Sequence, residues 1–363
     1  MEDLIRSAIS SAQTQKEEEN LGSDRIRIVT VGVGGGGNNT INRLIKIGVK
    51  GTELIAINTD KKHLDLIHDN AKKILIGKSL TKGMGAGGFP DVGAKAAELD
   101  RHEIQKELEG AHLVFVCAGL GGGTGSGAAP IVAQIAKEQG AIVISMVTYP
   151  FALERARKNK ADEALRQLLK YSNSVIVIDN NRLLELFPNL KMNDAFQVAD
   201  EILARAITGL AWTITQPSLM NIDFADVKAV LGDGGLGFIA VGEGRGNDKV
   251  KVAVDQVVKN RLLDVSFEGA KGALVHITAG EEITLGEATK AVELITDKMD
   301  PDAQVKWGAR IVPNYEGKIE VVAIIAGVRG SSIGDTRVRT VYEEEERDYE
   351  DSRSSGPGFL KSI

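Results

Sequence analysis

The stretch Gly119-Leu-Gly-Gly-Gly-Thr-Gly-Ser-Gly-Ala-Ala-Pro130 directly follows the apolar run His112-Leu-Val-Phe-Val-Cys-Ala118. The run predicts a buried strand, and the small residues after it predict a tight turn into a helix. Backbone amides in a glycine-rich turn can approach an anion closely, and a helix N-terminus adds partial positive charge. Thr124 and Ser126 supply hydroxyl donors for phosphate oxygens. The stretch therefore predicts a phosphate site at the end of a strand.

Two further glycine-rich stretches point to the same chemistry. The first glycine stretch, Gly32-Val-Gly-Gly-Gly-Gly-Asn-Asn-Thr40, also follows an apolar run. We call residues 119–130 the second glycine stretch, or second loop. The third glycine stretch is Lys82-Gly-Met-Gly-Ala-Gly-Gly-Phe-Pro90, which comes later in the chain than the first. The first contains G-x-G-x-x-G, with Asp60 ending the next strand, which by itself also fits a dinucleotide-dependent oxidoreductase. The later stretch, by itself, also fits a flexible surface loop. Together the three favour a polyphosphate wrapped by backbone.

Apolar runs that alternate with helical patterns predict a Rossmann-like, mostly parallel α/β sheet. A smaller α+β domain with a new pattern follows a long amphipathic helix. The strands are predicted at 26–32, 53–58, 73–76, 112–118, 141–147, 174–178, 236–242, 271–279, 303–312 and 318–327. In the long helix, apolar residues recur at spacings of three and four, from Phe196 to Ile214.

These patterns divide the chain into six parts. They are an N-terminal arm (1–24), a nucleotide-binding domain (25–192), the central helix (193–215), a loop with the following helix (216–234), the α+β domain (235–330) and a tail (331–363). The tail carries an acidic run at 343–351 that predicts disorder, and it ends in a short apolar tip with Phe359, Leu360 and Ile363.

Composition excludes several classes of function. The 363 residues carry a net charge of -6 without a basic block, so we expect no nucleic-acid partner. Cys117 is the only cysteine, which rules out a disulfide framework or a cysteine zinc site within one chain. No apolar run is long enough to span a bilayer, so we expect a cytoplasmic protein without direct membrane insertion.

Several motifs in order resemble the FtsZ/tubulin family of GTPases over roughly residues 25–330. Residues 121–127 resemble the tubulin signature G-G-G-T-G-[ST]-G, and Met220-Asn-Ile-Asp-Phe-Ala-Asp-Val227 resembles the acidic loop of FtsZ proteins. The stretches 32–39, 58–60, 86–90 and 150–154 fall in the family's order. The arm and the tail resemble those of archaeal members.

The resemblance implies GTP and GDP as ligands, with Mg²⁺ held mainly on the nucleotide phosphates and no metal site made by the protein alone. Phosphate contacts are implied for Gly34, Gly35, Gly36, Asn39, Ala86, Gly87, Gly88, Gly121, Gly122, Gly123, Thr124, Gly125, Ser126 and Gly127. Ribose contacts are implied for Glu154 and for Lys158, where the family has an arginine that here stands one position earlier, at Arg157. Base contacts are implied for Asn180, Phe196 and Asp200.

The chemistry of Asp200 favours guanine over adenine. A carboxylate accepts hydrogen bonds from the N1–H and the 2-amino group of guanine, whereas adenine presents an acceptor at N1 and no 2-amino group. A site in which the wrong ligand leaves a buried polar group without a hydrogen-bond partner can discriminate between two ligands by about 10⁴-fold. Phe196 lies four residues before Asp200 on the same helix face and can stack on the base.

Asn221, Asp223 and Asp226 form the pattern Asn-x-Asp-x-x-Asp, which by itself also fits a helix cap, a fragment of a calcium loop or surface charge. The resemblance implies that this loop presses against the nucleotide of the next subunit and that the two aspartates activate the attacking water, helped by Asn221. It implies a head-to-tail homopolymer in the mid-cell division ring, and a tail that docks on membrane-anchor or other division proteins. An inert tail, a non-catalytic relative and a filament protein outside division are the alternatives.

Overall fold

The computed structural model describes residues 26–186, 189, 191–215, 223–231, 235–259, 268–313 and 315–327. The predicted arm (1–24) and tail (331–363) lie outside the described residues, as does Asn221. The strands are β1 (Ile28–Val33), β2 (Glu53–Asn58), β3 (Lys72–Leu75), β4 (Leu113–Gly119), β5 (Ile142–Tyr149), β6 (Ser174–Asp179), β7 (Leu236–Arg245), β8 (Gly272–Ala279), β9 (Gln304–Ile311) and β10 (Lys318–Ala326).

Helices connect most of these strands. They are α1 (Gly34–Lys46), α2 (Lys61–Asp65), α3 (Lys78–Thr81), α4 (Pro90–Leu99), α5 (Arg101–Leu108), α6 (Gly123–Glu138), α7 (Arg155–Tyr171), α8 (Asn180–Leu186), α9 (Met192–Thr215), α10 (Phe224–Leu231), α11 (Lys249–Val258) and α12 (Leu285–Thr296). In the described part of the chain, no helix combines the length and apolarity needed to cross a membrane.

All ten strands form one sheet in the order β3-β2-β1-β4-β5-β6-β7-β10-β8-β9. The strands from β3 to β6 are mutually parallel. A parallel sheet of this kind is covered on both faces, so its strands are apolar on both sides. In β4, Leu113, Phe115 and Cys117 face one core cluster, while Val114, Val116 and Ala118 face the other. The predicted α/β fold is confirmed.

The last four strands extend this sheet instead of forming a separate one. β7 joins β6 in parallel through two residue pairs, Val175↔Leu236 and Ile176↔Gly237. Beyond it, β10 pairs antiparallel with both β7 and β8, and β8 pairs in parallel with β9. This mixed part of the sheet, with α11 and α12 beside it, is the predicted α+β domain.

The central helix α9 packs on one face of the sheet, where it contacts both the parallel half and the mixed half. Its residues Leu203, Ile207 and Leu210 are buried in one cluster with Phe115 of β4 and Leu274 of β8. The spacing of three and four that predicted the helix is therefore the spacing of its buried face.

Helices α4 and α6 approach each other very closely at a glycine. A Cβ atom on Gly127 would lie 1.9 Å from the carbonyl oxygen of Pro90 and 2.6 Å from the amide nitrogen of Ala94. Both are backbone atoms, so neither can move aside without shifting a helix. Gly286, on the exposed side of α12, has no atom within 4 Å of the same position.

We predict opposite effects of alanine at these two glycines. Gly127→Ala should lower the free energy of unfolding by about 1–3 kcal/mol, because it overpacks the α4–α6 contact. Gly286→Ala should raise it by about 0.5–1 kcal/mol, because alanine is the better helix former and the site is open. Denaturant titration of both variants tests this; equal effects would contradict the packing described here.

Candidate functional site

A cavity of about 490 Å³ opens at the carboxyl ends of the parallel strands. It is lined by residues at or just after the ends of β1 (Gly35, Gly36), β2 (Asn58, Asp60), β4 (Gly122, Gly123) and β5 (Thr148, Pro150), and by Asn180 at the start of α8. Ligands of α/β proteins bind at this edge of the sheet, and the volume falls within the usual range for a small-molecule site.

Two helix N-termini face the cavity. Helix α1 begins at Gly34 and α6 begins at Gly123, and in these described helices no side chain caps the first turn and no acidic residue lies in it. The first amides of both helices are therefore available to a ligand, and both helix dipoles favour an anion there. Gly34 has φ of 72°, a conformation in which other residues are strained.

The third glycine stretch covers one side of this anion site. Met84, Gly85 and Gly87 line the cavity. A Cβ on Gly123 would lie 2.8 Å from the Cβ of Ala86, so the stretch packs directly on the second glycine loop. Lys160 of α7 donates to the carbonyl of Gly88 at 2.7 Å, which ties the stretch to the body of the protein.

The two hydroxyls of the second loop have different roles. Thr124 lines the cavity, and its hydroxyl lies 2.7 Å from that of Thr59. The Ser126 hydroxyl accepts from the amide of Gly121 at 2.7 Å and does not line the cavity. Thr124 is thus placed for a ligand, while Ser126 fixes the shape of the loop.

Glu154 and Arg157 form one wall. The Arg157 guanidinium donates to both carboxylate oxygens of Glu154 at 3.1 Å, and both residues line the cavity. Lys158 does not line it. Glu154 is the N-cap residue of α7, and its side chain pairs with Arg157, three positions on, instead of bonding to the first turn of the helix.

Asp200 lies at the other end of the cavity in a partly dehydrated setting. Thr40 of α1 donates to its carboxylate at 3.0 Å. Burial raises the pKa of Asp200 to about 6, although the Thr40 hydrogen bond and the nearby Arg43 charge act in the opposite direction. A ligand that donates hydrogen bonds to this carboxylate would stabilise its ionised form.

Asn180 and Phe196 lie at the same end. The Asn180 side-chain oxygen is buried and has no hydrogen-bond partner within the described structure. Phe196 is 39% exposed and meets Phe151 edge to face, with ring centroids 5.9 Å apart. These three side chains suit a flat heterocycle that carries N–H donors: Asn180 and Asp200 offer acceptors, and Phe196 offers a ring for stacking. Guanine has this pattern.

Asp223 and Asp226 cap the N-terminus of α10. The amide of Asp226 donates to the Asp223 carboxylate at 2.7 Å, and the amide of Asp223 donates to the Asp226 carboxylate at 3.3 Å. Lys306 of β9 pairs with Asp226 at 2.7 Å, and this ion pair is the largest cause of the lowered pKa of Asp226. The helix-cap reading left open by the sequence is therefore present in the structure.

The acidic pair lies at the opposite edge of the sheet from the cavity. Phe224, next to Asp223, meets His112 edge to face at 5.9 Å, and His112 immediately precedes β4. The cavity lies at the other end of β4, where Gly119 lines it. Seven residues of strand span roughly 20 Å, so the two aspartates lie far from the cavity of their own chain.

The structure brings together most of the residues predicted to bind nucleotide. The cavity is lined by Gly35, Gly36, Asn39, Gly87, Gly122, Gly123, Thr124, Gly125, Glu154, Asn180, Phe196 and Asp200. Gly34, Ala86, Gly88, Gly121, Ser126, Gly127 and Lys158 do not line it. Thr40, His63, Thr148 and Arg157 line it without having been predicted as site residues. Thr40 is the last residue of the stretch 32–40, and its place there is the one available signal for it.

The described residues contain no group of three or more His, Cys, Asp or Glu side chains that could hold a metal ion. The cavity's carboxylates and hydroxyls, among them Asp60 and Thr124, are of the oxygen type that Mg²⁺ prefers.

Comparison with known proteins decides the family. The GTPase domain of the Tubulin/FtsZ family matches residues 27–188, and the C-terminal domain of the FtsZ family matches residues 235–329. The chain belongs to the FtsZ family. It is 55% identical to "Cell division protein FtsZ 2" of Methanocaldococcus jannaschii over 335 residues, which cover 91% of this chain and 87% of that protein.

Other relatives agree. The FtsZ 2 protein of Halobacterium salinarum is 48% identical over 340 residues, covering 92% of this chain and 86% of that protein. A solved FtsZ dimer from M. jannaschii superposes with a TM-score of 0.81 at 43% identity, covering 87% of this chain and 92% of that one. The resemblance inferred from the motifs is confirmed, and a tubulin-like GTPase domain implies guanine nucleotide binding.

We predict that Asp200→Asn exchanges guanine for xanthine specificity. The asparagine amide would still accept from N1–H but would donate to the 2-oxo group of xanthine, where guanine carries an amino group. Affinity for GTP should fall by about 100-fold or more and affinity for xanthosine triphosphate should rise. Equilibrium binding with both nucleotides tests this. Undiminished GTP affinity would exclude Asp200 from the base site.

The raised pKa of Asp200 also predicts a pH dependence. Above pH 6 the carboxylate is ionised and ready for the base, so GTP affinity should be constant there and fall by up to about tenfold per pH unit below. In the nucleotide-free protein the same raised pKa means that ionisation of Asp200 costs stability as pH rises through 6. Asp200→Asn should therefore unfold at an equal or higher temperature than wild type at pH 7.5. The same measurement checks that the variant is folded.

Proposed function

We propose that the chain is a GTP-dependent, filament-forming cell-division protein that hydrolyses GTP at the contact between successive subunits. The observation that carries this proposal is the position of the two half-sites: the cavity and the acidic pair lie at opposite edges of one rigid sheet. The cavity lies at the carboxyl ends of the parallel strands, whereas Asp223 and the partly exposed Asp226 lie at their amino ends.

In this proposal the base lies between Asp200, Asn180 and Phe196, and the ribose lies by Glu154 and Arg157. The polyphosphate lies over the N-termini of α1 and α6, where amide donors and helix dipoles are aimed at negative charge. Mg²⁺, bound through phosphate oxygens, would offset charge on the β- and γ-phosphates. The third glycine stretch, packed on Gly123, closes the site at its γ-phosphate end.

Hydrolysis is then completed by a second copy of the chain. Its Asp223 and Asp226, fixed by their mutual capping bonds, would orient and polarise a water for attack on the γ-phosphate, with Asn221 as a further polar contact. The contribution of the protein is positioning and electrostatics, as is usual for phosphoryl transfer. Because the two surfaces in contact differ, each added subunit covers one surface of its neighbour and presents its own copy of that surface to the next subunit. Repeated contacts of this kind build an open filament when the rotation between subunits does not close a ring.

Apolar side chains around the cavity support a contact at this edge. Met84 and Phe89 of the third glycine stretch are 76% and 64% exposed, and Leu153 next to Glu154 is 78% exposed. Large apolar groups at the rim of a polar cavity are typical of a surface that is covered by a partner. The relatives are named for cell division, and we propose the mid-cell ring as the location of the filament.

We predict that GTP hydrolysis per subunit is close to zero at low protein concentration and rises through a threshold as filaments form. ATP should give no turnover at any concentration. Asp223→Ala and Asp226→Ala should bind GTP normally but lose at least about 100-fold in hydrolysis, because they leave the cavity intact. Phosphate release measured against protein concentration, with nucleotide binding measured in parallel, tests this.

Three results would contradict the proposal. A rate per subunit that is independent of concentration would mean that the site is complete within one chain. Near-normal turnover by both aspartate variants would remove α10 from the reaction. No turnover by wild type at any concentration would favour a GTP-binding filament protein without catalysis.

A further inference from the structure

Lys306 contacts the acidic pair from a distant part of the chain. It lies on β9, and its ammonium group is 2.7 Å from Oδ1 of Asp226. The lysine side chain is 42% exposed and the aspartate side chain 24%. The pair therefore lies at the surface of the edge that the proposed function assigns to subunit contact.

The contact with Lys306 helps to hold the Asp226 carboxylate in position. One carboxylate oxygen of Asp226 accepts from Lys306, and the other accepts from the amide of Asp223. With both oxygens held, the carboxylate has a single orientation. The charge of Asp223 also acts on Lys306, so one cation serves two neighbouring carboxylates.

Charge balance at this edge matters once subunits dock. Two carboxylates brought against a polyphosphate repel it, and like charges in contact across an interface weaken that interface. A carboxylate without a counter-ion in that setting would turn away from the phosphate or take up a proton. A fixed cation beside Asp226 prevents both.

We propose that Lys306 is a positioning residue for hydrolysis: its ammonium group holds the Asp226 carboxylate in place and offsets its charge while it acts on the nucleotide of the next subunit. This inference rests on the proposed function. Exposed ion pairs contribute little to folding, so the role of Lys306 lies in the reaction and not in stability.

The test compares Lys306→Met, Lys306→Arg and Lys259→Met in the full chain. Lys259 forms an ion pair of similar length, 2.9 Å to Asp255, at the C-terminal end of α11. It is more exposed than Lys306 and serves as the control. Lys306→Met should lower the plateau rate of GTP hydrolysis, measured at saturating protein concentration, by about tenfold or more, because a small misplacement of a catalytic group has that effect. Lys306→Arg should restore most of the rate, and Lys259→Met should match wild type.

GTP affinity and unfolding temperature should be unchanged in all three variants, which separates positioning from a structural role. A plateau rate for Lys306→Met equal to that of wild type would overturn the inference. So would a change confined to the concentration threshold, which would assign Lys306 to docking alone, or a loss in Lys306→Arg as large as that in Lys306→Met. The proposed function fails by a different result, the absence of a concentration threshold in wild type.

Discussion

Parallel strands impose a direction on the whole molecule. All their amino ends lie at one edge of the sheet and all their carboxyl ends at the other. Residues just before a strand are therefore separated from residues just after it by the full length of the strand. Here β4 joins the two edges: His112 at its start contacts Phe224 beside the acidic pair, and Gly119 at its end lines the cavity. The buried core on both faces of β4 keeps this distance fixed. The shared active site and the directional filament that we propose both depend on this one constraint.

The cavity itself is built largely of backbone. Its anion end consists of glycines at two helix starts, where the donors are amides and need no side chain to be held in position. We assign the selectivity for the base to Asp200, which also lines the cavity. Burial raises the pKa of this carboxyl group, and a ligand that donates N–H hydrogen bonds to it would stabilise its ionised form.

The ten strands, the glycine loops and the central helix could be predicted from the sequence because each depends on a local pattern: apolar runs, small residues in turns, and a spacing of three and four. The predictions were less complete where a contact is distant in the chain. Thr40 and Asp200 meet across 160 positions, and the pairing of Lys306 with Asp226 depends on how β9 packs beside α10. The exact phase of a helix was also hard to predict, which is why Arg157 and not Lys158 lines the cavity. Ser126 was assigned a phosphate from its residue type, whereas the fold uses its hydroxyl to hold Gly121.

The most direct measurement of the shared site is a mixing experiment with Asp200→Asn, which keeps the acidic pair, and Asp223→Ala, which keeps the cavity. Each variant alone should hydrolyse GTP at a rate close to zero. In an equal mixture, about one quarter of randomly formed contacts would join an intact cavity to an intact acidic pair, so phosphate release should rise well above the sum of the separate rates. A mixture whose rate equals that sum, although co-sedimentation shows both variants in the same filaments, would contradict a site completed by two subunits.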